Sequence, residues 1–286
     1  MENKLQNARV LIEALPYIQK YNGKYVVIKY GGNAMINNVF KNSVIRDIVL
    51  LAAVGVNVIL VHGGGPEISA MLGKLGKEST FINGLRYTDD ETVEVVSMVL
   101  AGKVNKSLFS LIHSNNGRAI GLCGADGGML LSGKLNGEID LGYVGYIKAV
   151  DPSPIHMSLS HGFIPVIASV GADENGQEYN INADTAAAAI AGAMAAEKLI
   201  LMTDVKGVLK DREDENSLIS EIDIKNVPAL ISEGIISGGM LPKVESCVDA
   251  IRSGLKEAVI IDGRTEHSIL LELLSDSGYG TLFYSR

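Results

Sequence analysis

Two lysines stand beside glycine pairs in this sequence, where each could meet a phosphate group. Lys29 interrupts an otherwise apolar run, Val26 to Tyr30, that leads into Gly31-Gly32. A lysine inside a buried strand is unfavourable unless it meets an anion, although on an edge strand the same side chain would face water. Lys243 follows Gly238-Gly239 in a segment that predicts the first turn of a helix, where it is either an exposed lysine or a phosphate ligand.

The glycines cluster where a strand is expected to turn into a helix. Gly31-Gly32 follows one apolar strand, and Gly63-Gly64-Gly65 follows the next, Val56 to Val61. Glycine permits positive φ and lets backbone N–H groups approach an anion, and the helix behind the loop adds a favourable partial charge. A tight turn would explain one such loop. Two loops on neighbouring strands favour a binding site, since ligands of open α/β sheets lie beyond the strand C-termini.

A cluster of polar residues precedes an alanine-rich helix. Asn180, Asn182 and Asp184 lie within five residues of one another. Capping the helix would use one or two of these groups, so the cluster contains more polar groups than a cap needs. Asp184 is therefore a candidate to orient a lysine or a bound group.

Several other functions are not supported by the sequence. It contains no Gly-x-Gly-x-x-Gly fingerprint, no Gly-x-Ser-x-Gly elbow and no histidine pair at metal-ligand spacing, so no protein-bound metal is expected. A net charge of −8 and 5% aromatic residues argue against nucleic-acid binding. No stretch approaches the ~20 apolar residues of a membrane span, and the first residues lack the apolar run of a signal peptide. We expect a cytoplasmic protein that binds neither membranes nor nucleic acids.

Strands and helices are predicted to alternate along the chain. An apolar strand followed by glycines and a helix occurs twice near the start, which is typical of a parallel sheet covered on both faces. Further strands are predicted at Phe163–Val170, Leu199–Met202 and Val259–Ile261, with an edge strand at Thr281–Tyr284.

Two predictions concern helices. Residues 4–20 show helical spacing, and Pro16 is expected to kink or divide that helix. Thr88-Asp89-Asp90-Glu91 has the spacing of a capping box and predicts a helix to about residue 104, with a second helix over 105–115.

Six segments together resemble the amino acid kinase family, and within it the members that phosphorylate N-acetyl-L-glutamate in arginine biosynthesis. They span nearly the whole chain, in the order that the family has. The segments are Lys29-Tyr30-Gly31-Gly32, Val61-His62-Gly63-Gly64-Gly65, Asn83-Gly84-Leu85-Arg86, Asn180-Ile181-Asn182-Ala183-Asp184, Thr203-Asp204-Val205-Lys206-Gly207 and Gly238-Gly239-Met240-Leu241-Pro242-Lys243.

The resemblance implies an α/β fold in which an open, mainly parallel eight-stranded sheet lies between helix layers. It implies one domain, 1–286, in three parts. Residues 1–20 would form an oligomerisation helix. Residues 21–175, approximately, would bind the acyl amino acid, and residues 176–286 would bind ATP.

The resemblance also implies roles for individual residues. Lys29 and Lys243 would stabilise the migrating phosphoryl group, and Asp184 would organise both lysines. The substrate would be bound by Gly64, Gly65, Arg86 and Asn180. The nucleotide would lie against Gly31, Gly32, Asp204, Val205, Lys206, Gly207, Val208, Leu209, Ile235, Ile236 and Ser237.

Partners follow from the same resemblance. ATP would bring Mg²⁺ held mainly by its phosphates, and the helix at 1–20 is similar to that of the arginine-inhibited type, a hexamer built as a trimer of dimers. A dimer, with the helix simply covering its own subunit, is the simpler alternative. Lys198, Glu272 and Gly278 are candidates for the arginine site. Other kinases of this fold, acting on glutamate, aspartate, carbamate or UMP, and a non-catalytic amino-acid sensor remain alternatives.

Overall fold

Helices and strands alternate near the start of the chain as the sequence predicts, whereas strands follow one another without an α-helix between them at 119–150 and at 164–181. The computed structural model of the protein describes residues 2–35, 37–276 and 278–286. The α-helices are α1 Glu2–Tyr21, α2 Asn38–Ala53, α3 Gly65–Lys74, α4 Asp90–Ser97, α5 Asn105–Ser114, α6 Ser153–Ser160, α7 Ala183–Ala193, α8 Val227–Ser232, α9 Leu241–Arg252 and α10 Ser268–Leu273. The strands are β1 Tyr25–Tyr30, β2 Asn57–His62, β3 Phe81–Ile82, β4 Leu85–Arg86, β5 Ala119–Cys123, β6 Leu130–Lys134, β7 Val144–Val150, β8 Ile164–Ala168, β9 Val170–Ala172, β10 Glu178–Ile181, β11 Lys198–Thr203, β12 Glu221–Asp223, β13 Glu257–Asp262 and β14 Thr281–Tyr284.

An eight-stranded open sheet forms the centre of the fold, in the order β12-β14-β13-β11-β1-β2-β8-β5. Six neighbouring strands run parallel, and β14 lies antiparallel to β13. The predicted fold class, α/β with a mainly parallel eight-stranded sheet, is confirmed. The prediction that Thr281–Tyr284 is an edge strand is wrong, because the short strand Glu221–Asp223 pairs with its outer side.

Two smaller β structures lie beyond the carboxyl ends of the sheet strands. β6, β7, β9 and β10 pair into a small closed barrel, and β3 and β4 form a hairpin. The hairpin turn is Asn83-Gly84, with φ of 50° and 80°. Both residues therefore adopt the left-handed region, which glycine and asparagine tolerate best.

Two hydrophobic clusters cover the two faces of the sheet. Alternate residues of a strand point to opposite faces. Val26 and Ile28 of β1 consequently belong to one cluster, and Val27 belongs to the other, together with the alanines of α7. The side chain of Lys29 points to the same face of the sheet as that of Val27, toward the layer that contains α7 and α9.

Residues 90–114 form one continuous helical run rather than two helices. Met98–Val104, between α4 and α5, is π-helical. Asp89, not Thr88, caps the run, since its carboxylate accepts from the Thr92 N–H at 2.9 Å. By length and composition this is the one helix among the described residues that could cross a membrane. Its residues Val96, Leu100, Leu108 and Ile112 are buried in the protein core, which accounts for its apolar composition.

The first helix continues through Pro16 as one element, so Pro16 does not divide it. Proline removes one backbone hydrogen bond of a helix and frees one carbonyl. Here the preceding turn is exposed, with Leu11 and Ile12 each 68% accessible, so water can satisfy the freed carbonyl. Met1, the first residue of the predicted helix, lies outside the described residues.

Candidate active site

Two lysines that are distant in sequence meet on one buried carboxylate. Lys29 Nζ lies 2.9 Å from Asp184 Oδ1, and Lys243 Nζ lies 2.8 Å from Asp184 Oδ2. The Lys29 and Asp184 side chains are almost completely buried, while Lys243 is partly exposed. The carboxylate therefore holds two ammonium groups side by side. The cluster of the three side chains has one more positive than negative charge.

Three neighbouring elements bring these groups together. Lys29 extends from the carboxyl-terminal part of β1, paired in register with Val61 of β2 and Leu201 of β11. Asp184 and Lys243 lie in the first turns of α7 and α9, which pack in the same layer. A carboxylate is favoured at a helix N-terminus and an ammonium is disfavoured there, so the pairing with Asp184 stabilises Lys243 in its position.

Burial and neighbouring charge act in opposite directions on these groups. Burial lowers the pKa of the Lys29 ammonium below its ordinary value, and the Asp184 carboxylate opposes that shift. Burial alone would raise the pKa of Asp184, but the two ammonium groups hold it below its ordinary value. The carboxylate therefore stays ionised. The net positive charge of the cluster favours binding of another anion.

A cleft of about 230 Å³ opens next to this cluster. All four predicted substrate residues line it, together with Lys29, Asp184, Gly31 and Gly32. Gly31 and Gly32, which were predicted to bind the nucleotide, therefore lie with the predicted substrate residues. A Cβ on Gly31 would lie 3.2 Å from Lys29 Nζ, and a Cβ on Gly64 would lie 2.7 Å from Leu100 Cδ2. Glycine at these positions allows the backbone to pass close to the lysine and to the π-helical segment.

Arg86 is a buried cation at the side of the cleft. Its guanidinium donates to the Gly65 carbonyl at 2.9 Å and to the hydroxyls of Ser69 and Ser79 at 2.8 and 2.5 Å, and it lies over the Phe81 ring. No carboxylate among the described residues forms an ion pair with it. A buried guanidinium without a counter-ion, fixed by neutral acceptors, is suited to bind the carboxylate of a ligand.

Some cleft-lining residues are not among the predicted site residues. Leu85, Val144 and Ser169 also face the cleft. Leu85 adjoins Arg86 and could have been inferred from it. Val144 lies in the barrel strand β7, and Ser169 lies between β8 and β9 inside a segment predicted only as a strand, so nothing in the sequence marks either residue as part of the cleft.

A second cavity, of about 440 Å³, lies on the other side of Lys243. The predicted nucleotide residues that line it are Asp204, Val205, Gly207, Val208, Leu209, Ile235 and Ser237. Lys206 instead pairs with Glu215, and Ile236 is buried in the protein core. Arg212 and Met240 also line the cavity, and neither is among the residues predicted to bind the nucleotide. Mostly apolar walls next to a lysine suit a flat ring system that carries phosphates.

A third cavity, of about 370 Å³, contains all three candidate regulatory residues. Lys198 Nζ lies 2.7 Å from Glu272 Oε1, and the Gly278 backbone passes beside Glu272. Tyr17 of α1 donates a hydrogen bond to Asp276 at the cavity wall. The first helix is thus part of this cavity.

His62 supports the glycine loop from inside the core. Its Nδ1–H donates to the Gly63 carbonyl at 2.9 Å, and its Nε2 accepts from Asn105 Nδ2 at 3.1 Å. The neutral ring satisfies both contacts. Burial lowers the pKa of His62 to about 4.

Comparison with known proteins gives the same classification as the motifs. The sequence profile described as "Amino acid kinase family" matches residues 24–262. The acetylglutamate kinase of Clostridium beijerinckii is 56% identical over 286 residues, covering 99% of this chain and 100% of its own. The acetylglutamate kinase of Brachyspira hyodysenteriae is 54% identical, covering 99% of each chain.

Solved structures share the fold at lower identity. An N-acetylglutamate synthase from Neisseria gonorrhoeae, in complex with coenzyme A and N-acetyl-glutamate, superposes with a TM-score of 0.86 at 23% identity, over 98% of this chain and 63% of its own. A carbamate kinase from Giardia lamblia bound to AMP-PNP gives a TM-score of 0.64 at 18% identity, over 92% of this chain and 99% of its own.

The burial of His62 predicts a pH dependence of stability. The unfolded chain protonates this histidine near its ordinary pKa of 6.5, whereas the folded protein does so only near 4. Lowering the pH from 6.5 to about 4 therefore favours unfolding. Between pH 7 and pH 5 the wild type should lose about 2 kcal/mol more unfolding free energy than His62→Gln. Urea titrations at both pH values measure this difference.

The matched control is His113→Gln, which replaces an exposed histidine of α5. It should lose as much stability as the wild type over the same pH interval. Equal losses for the wild type and His62→Gln would contradict the prediction.

Proposed function

The chain belongs to the amino acid kinase family, and we propose that it phosphorylates the side-chain carboxylate of N-acetyl-L-glutamate with ATP, in arginine biosynthesis. The products are N-acetyl-L-glutamyl 5-phosphate and ADP. The observation that carries this proposal is the Lys29–Asp184–Lys243 cluster between two cavities, one beside Arg86 and one with apolar walls. Relatives named acetylglutamate kinase match over the full length of the chain.

The chemistry requires positive charge rather than a base. A glutamate side chain has an ordinary pKa of about 4.3, so the nucleophile is already ionised at neutral pH. Its oxygen attacks the γ-phosphorus, the bond to the β–γ bridging oxygen breaks, and ADP leaves with that electron pair. Lys29 and Lys243 stabilise the charge that spreads over the transferred group, and Asp184 keeps both ammonium groups in place.

Substrate and nucleotide occupy different cavities in this proposal. Arg86 binds a carboxylate of N-acetyl-L-glutamate, and Asn180 and the Gly64-Gly65 backbone contact the remaining polar groups. ATP occupies the cavity at Asp204–Leu209 and Ile235–Ser237, with its phosphates directed toward Lys243. The substrate region then corresponds approximately to residues 21–175 and the nucleotide region to residues 176–286. Asn180 and Asp184 belong to the second range but line the substrate cleft.

Magnesium is proposed to bind with the nucleotide. Among the described residues there is no group of three or more His, Cys, Asp or Glu side chains that could hold a metal ion. Mg²⁺ retains water readily and commonly binds through substrate phosphates. The enzyme would act in the cytoplasm, where ATP is available.

An acyl phosphate assay tests the function directly. The protein is incubated with Mg·ATP, hydroxylamine and either N-acetyl-L-glutamate or L-glutamate, and both ADP and the hydroxamate are measured. We expect both products with the acetylated substrate. A preference for glutamate would identify another carboxylate kinase of this fold, and absence of hydroxamate with both substrates would refute the proposed phosphorylation of N-acetyl-L-glutamate.

Removing either lysine should affect turnover far more than folding. Lys29→Ala and Lys243→Ala should each lower kcat about a hundred- to a thousand-fold, because each removes a fixed cation from the developing charge. Steady-state kinetics measure kcat, and circular dichroism checks the fold. Lys256→Ala, which removes an exposed lysine paired with Glu197, is the control and should retain wild-type kcat. Unchanged turnover in either site variant would remove that lysine from the mechanism.

We further propose that the third cavity binds arginine as a feedback inhibitor. Its wall combines carboxylates for a guanidinium, Glu221, Glu257 and Glu272, with lysines for a carboxylate, Lys20 and Lys198. The opposite charges are arranged within one cavity of suitable size. Residue Gly278 leaves room beside Glu272 that a side chain would fill.

Glu272→Gln should reduce arginine inhibition without loss of basal activity. The amide oxygen can still accept from Lys198, but the NH2 group cannot accept from the Tyr279 N–H as the second carboxylate oxygen does, and the side chain no longer carries the charge that forms an ion pair with a guanidinium. The arginine concentration for half inhibition should rise at least about tenfold, the scale of a charge-assisted hydrogen bond. Activity at varied arginine concentration measures it, and Glu245→Gln, on the exposed side of α9, is the control. Unaltered inhibition, or a wild type that arginine does not inhibit, would refute the site.

The first helix is proposed to join dimers into a hexamer. Its apolar side chains Leu5, Val10, Leu11, Ile12 and Leu15 are 43–68% exposed. An isolated chain would leave this surface in water, and a second copy of the helix would cover it.

Deleting residues 1–20 should therefore convert hexamers to dimers. The mass from multi-angle light scattering should fall to about one third, because the removed apolar surface links the dimers. Leu271→Ala is a control, since it changes an exposed leucine of α10 outside the first helix. A deletion variant that keeps the wild-type assembly, or a dimeric wild type, would rule out this role.

A further inference from the structure

Thr88 is completely buried and links three segments of the cleft wall. Its N–H donates to the Leu141 carbonyl at 3.1 Å, and its carbonyl accepts from the Tyr143 N–H at 2.6 Å. The Tyr143 carbonyl in turn accepts from the Asn180 N–H at 2.9 Å. The segments that carry Arg86 and Asn180 are thereby fixed relative to each other.

The Thr88 hydroxyl has both of its hydrogen-bonding roles determined by its neighbours. Its Oγ1 lies 2.7 Å from the Arg86 carbonyl oxygen and 3.1 Å from the Asn180 amide group. A carbonyl oxygen only accepts, so the hydroxyl hydrogen must point to Arg86. The hydroxyl then accepts from Asn180, and the atom of Asn180 that faces it must be Nδ2. The orientation of the amide follows from this chain of hydrogen bonds.

Asn180 consequently has its carbonyl oxygen available for a ligand. The residue is half-buried and lines the substrate cleft, whereas Thr88 does not. Among the residues that the structure describes, none donates a hydrogen bond to Asn180 Oδ1. A ligand group that contacts this oxygen must be a hydrogen-bond donor. N-acetyl-L-glutamate, with both carboxylates ionised, has a single donor, its amide N–H.

We propose that Thr88 is a positioning residue that makes Asn180 present an acceptor to the amide N–H of the substrate. The inference rests on the proposed function and specifies how that site recognises the acylated nitrogen. Without the hydroxyl, the Asn180 amide is free to turn, and either end can face the cleft. The enzyme then loses preference for a substrate that carries the N–H.

The probe is 2-acetoxyglutarate, in which an ester oxygen replaces the amide N–H. In the wild type this oxygen would oppose Asn180 Oδ1, and neither atom has a hydrogen to share. The wild type should prefer N-acetyl-L-glutamate by about 10- to 100-fold in kcat/KM, the usual effect of leaving a buried acceptor unpaired. Hydroxamate formation measures both substrates in the same assay.

Thr88→Val keeps the shape of the side chain and removes both hydrogen bonds. It should raise KM for N-acetyl-L-glutamate about tenfold, with kcat and KM for ATP nearly unchanged, and lower the preference over the ester to about threefold or less. Thr88→Ser retains the hydroxyl and should restore the preference. Thr92→Val removes the hydroxyl of another buried threonine of the same segment, bonded to Asp89 outside the cleft, and should keep wild-type specificity.

The outcomes separate this inference from the function on which it rests. A wild type that forms no acyl phosphate from N-acetyl-L-glutamate refutes both. If the wild type is active and Thr88→Val or Asn180→Leu keeps the full preference over the ester, the role of Thr88 is refuted and the function stands. Asn180→Leu also serves if Thr88→Val fails to fold, since it removes the acceptor itself and should abolish the same preference.

Discussion

One buried carboxylate shared by two ammonium groups determines most of the arrangement around it. Burying a charge is strongly unfavourable unless it is paired, and Asp184 pairs with both Lys29 and Lys243. Without that carboxylate, two cations would repel each other in a region of low dielectric. With it, a net positive charge remains, and the γ-phosphate of a nucleotide is the anion that would complete the pairing. Under the proposed function, the cluster therefore carries charge complementary to the transferred phosphoryl group before any ligand binds.

The strands and helices around the cluster orient its side chains and the neighbouring backbone. Strand alternation turns Lys29 toward α7, and the small alanines of α7 let its first turn approach β1 closely. On the other side of the cleft, Gly64 packs against the π-helical segment, where a Cβ would collide with Leu100. Secondary structure and close packing fix the positions of cations and backbone donors together, so neither flexible loops nor induced order is needed to form the cluster.

The sequence predicted those site residues whose type is unusual for the helix, strand or turn in which they lie. Lys29 interrupts an apolar strand, Asp184 adds a polar group that capping does not need, and consecutive glycines mark the loops. These residues lie around one cluster in the structure. The sequence did not predict the function of Thr88, which was interpreted as part of a helix cap, because its hydroxyl partner Asn180 is 92 residues away. Pairings at such distance, including β12 beside β14, are decided by tertiary packing and leave no periodic signal.

The position of β11 limits how the third cavity can affect the site. Lys198 begins this strand at that cavity, and Thr203 ends it at the second cavity, roughly 17 Å away at 3.3 Å per residue. All six residues are buried, and close-packed interiors deform little. A ligand beside Lys198 can therefore act through β11 only by displacing the strand as a unit. Because β1 pairs with β11 at Lys29, such a displacement would also shift the lysine relative to Asp184.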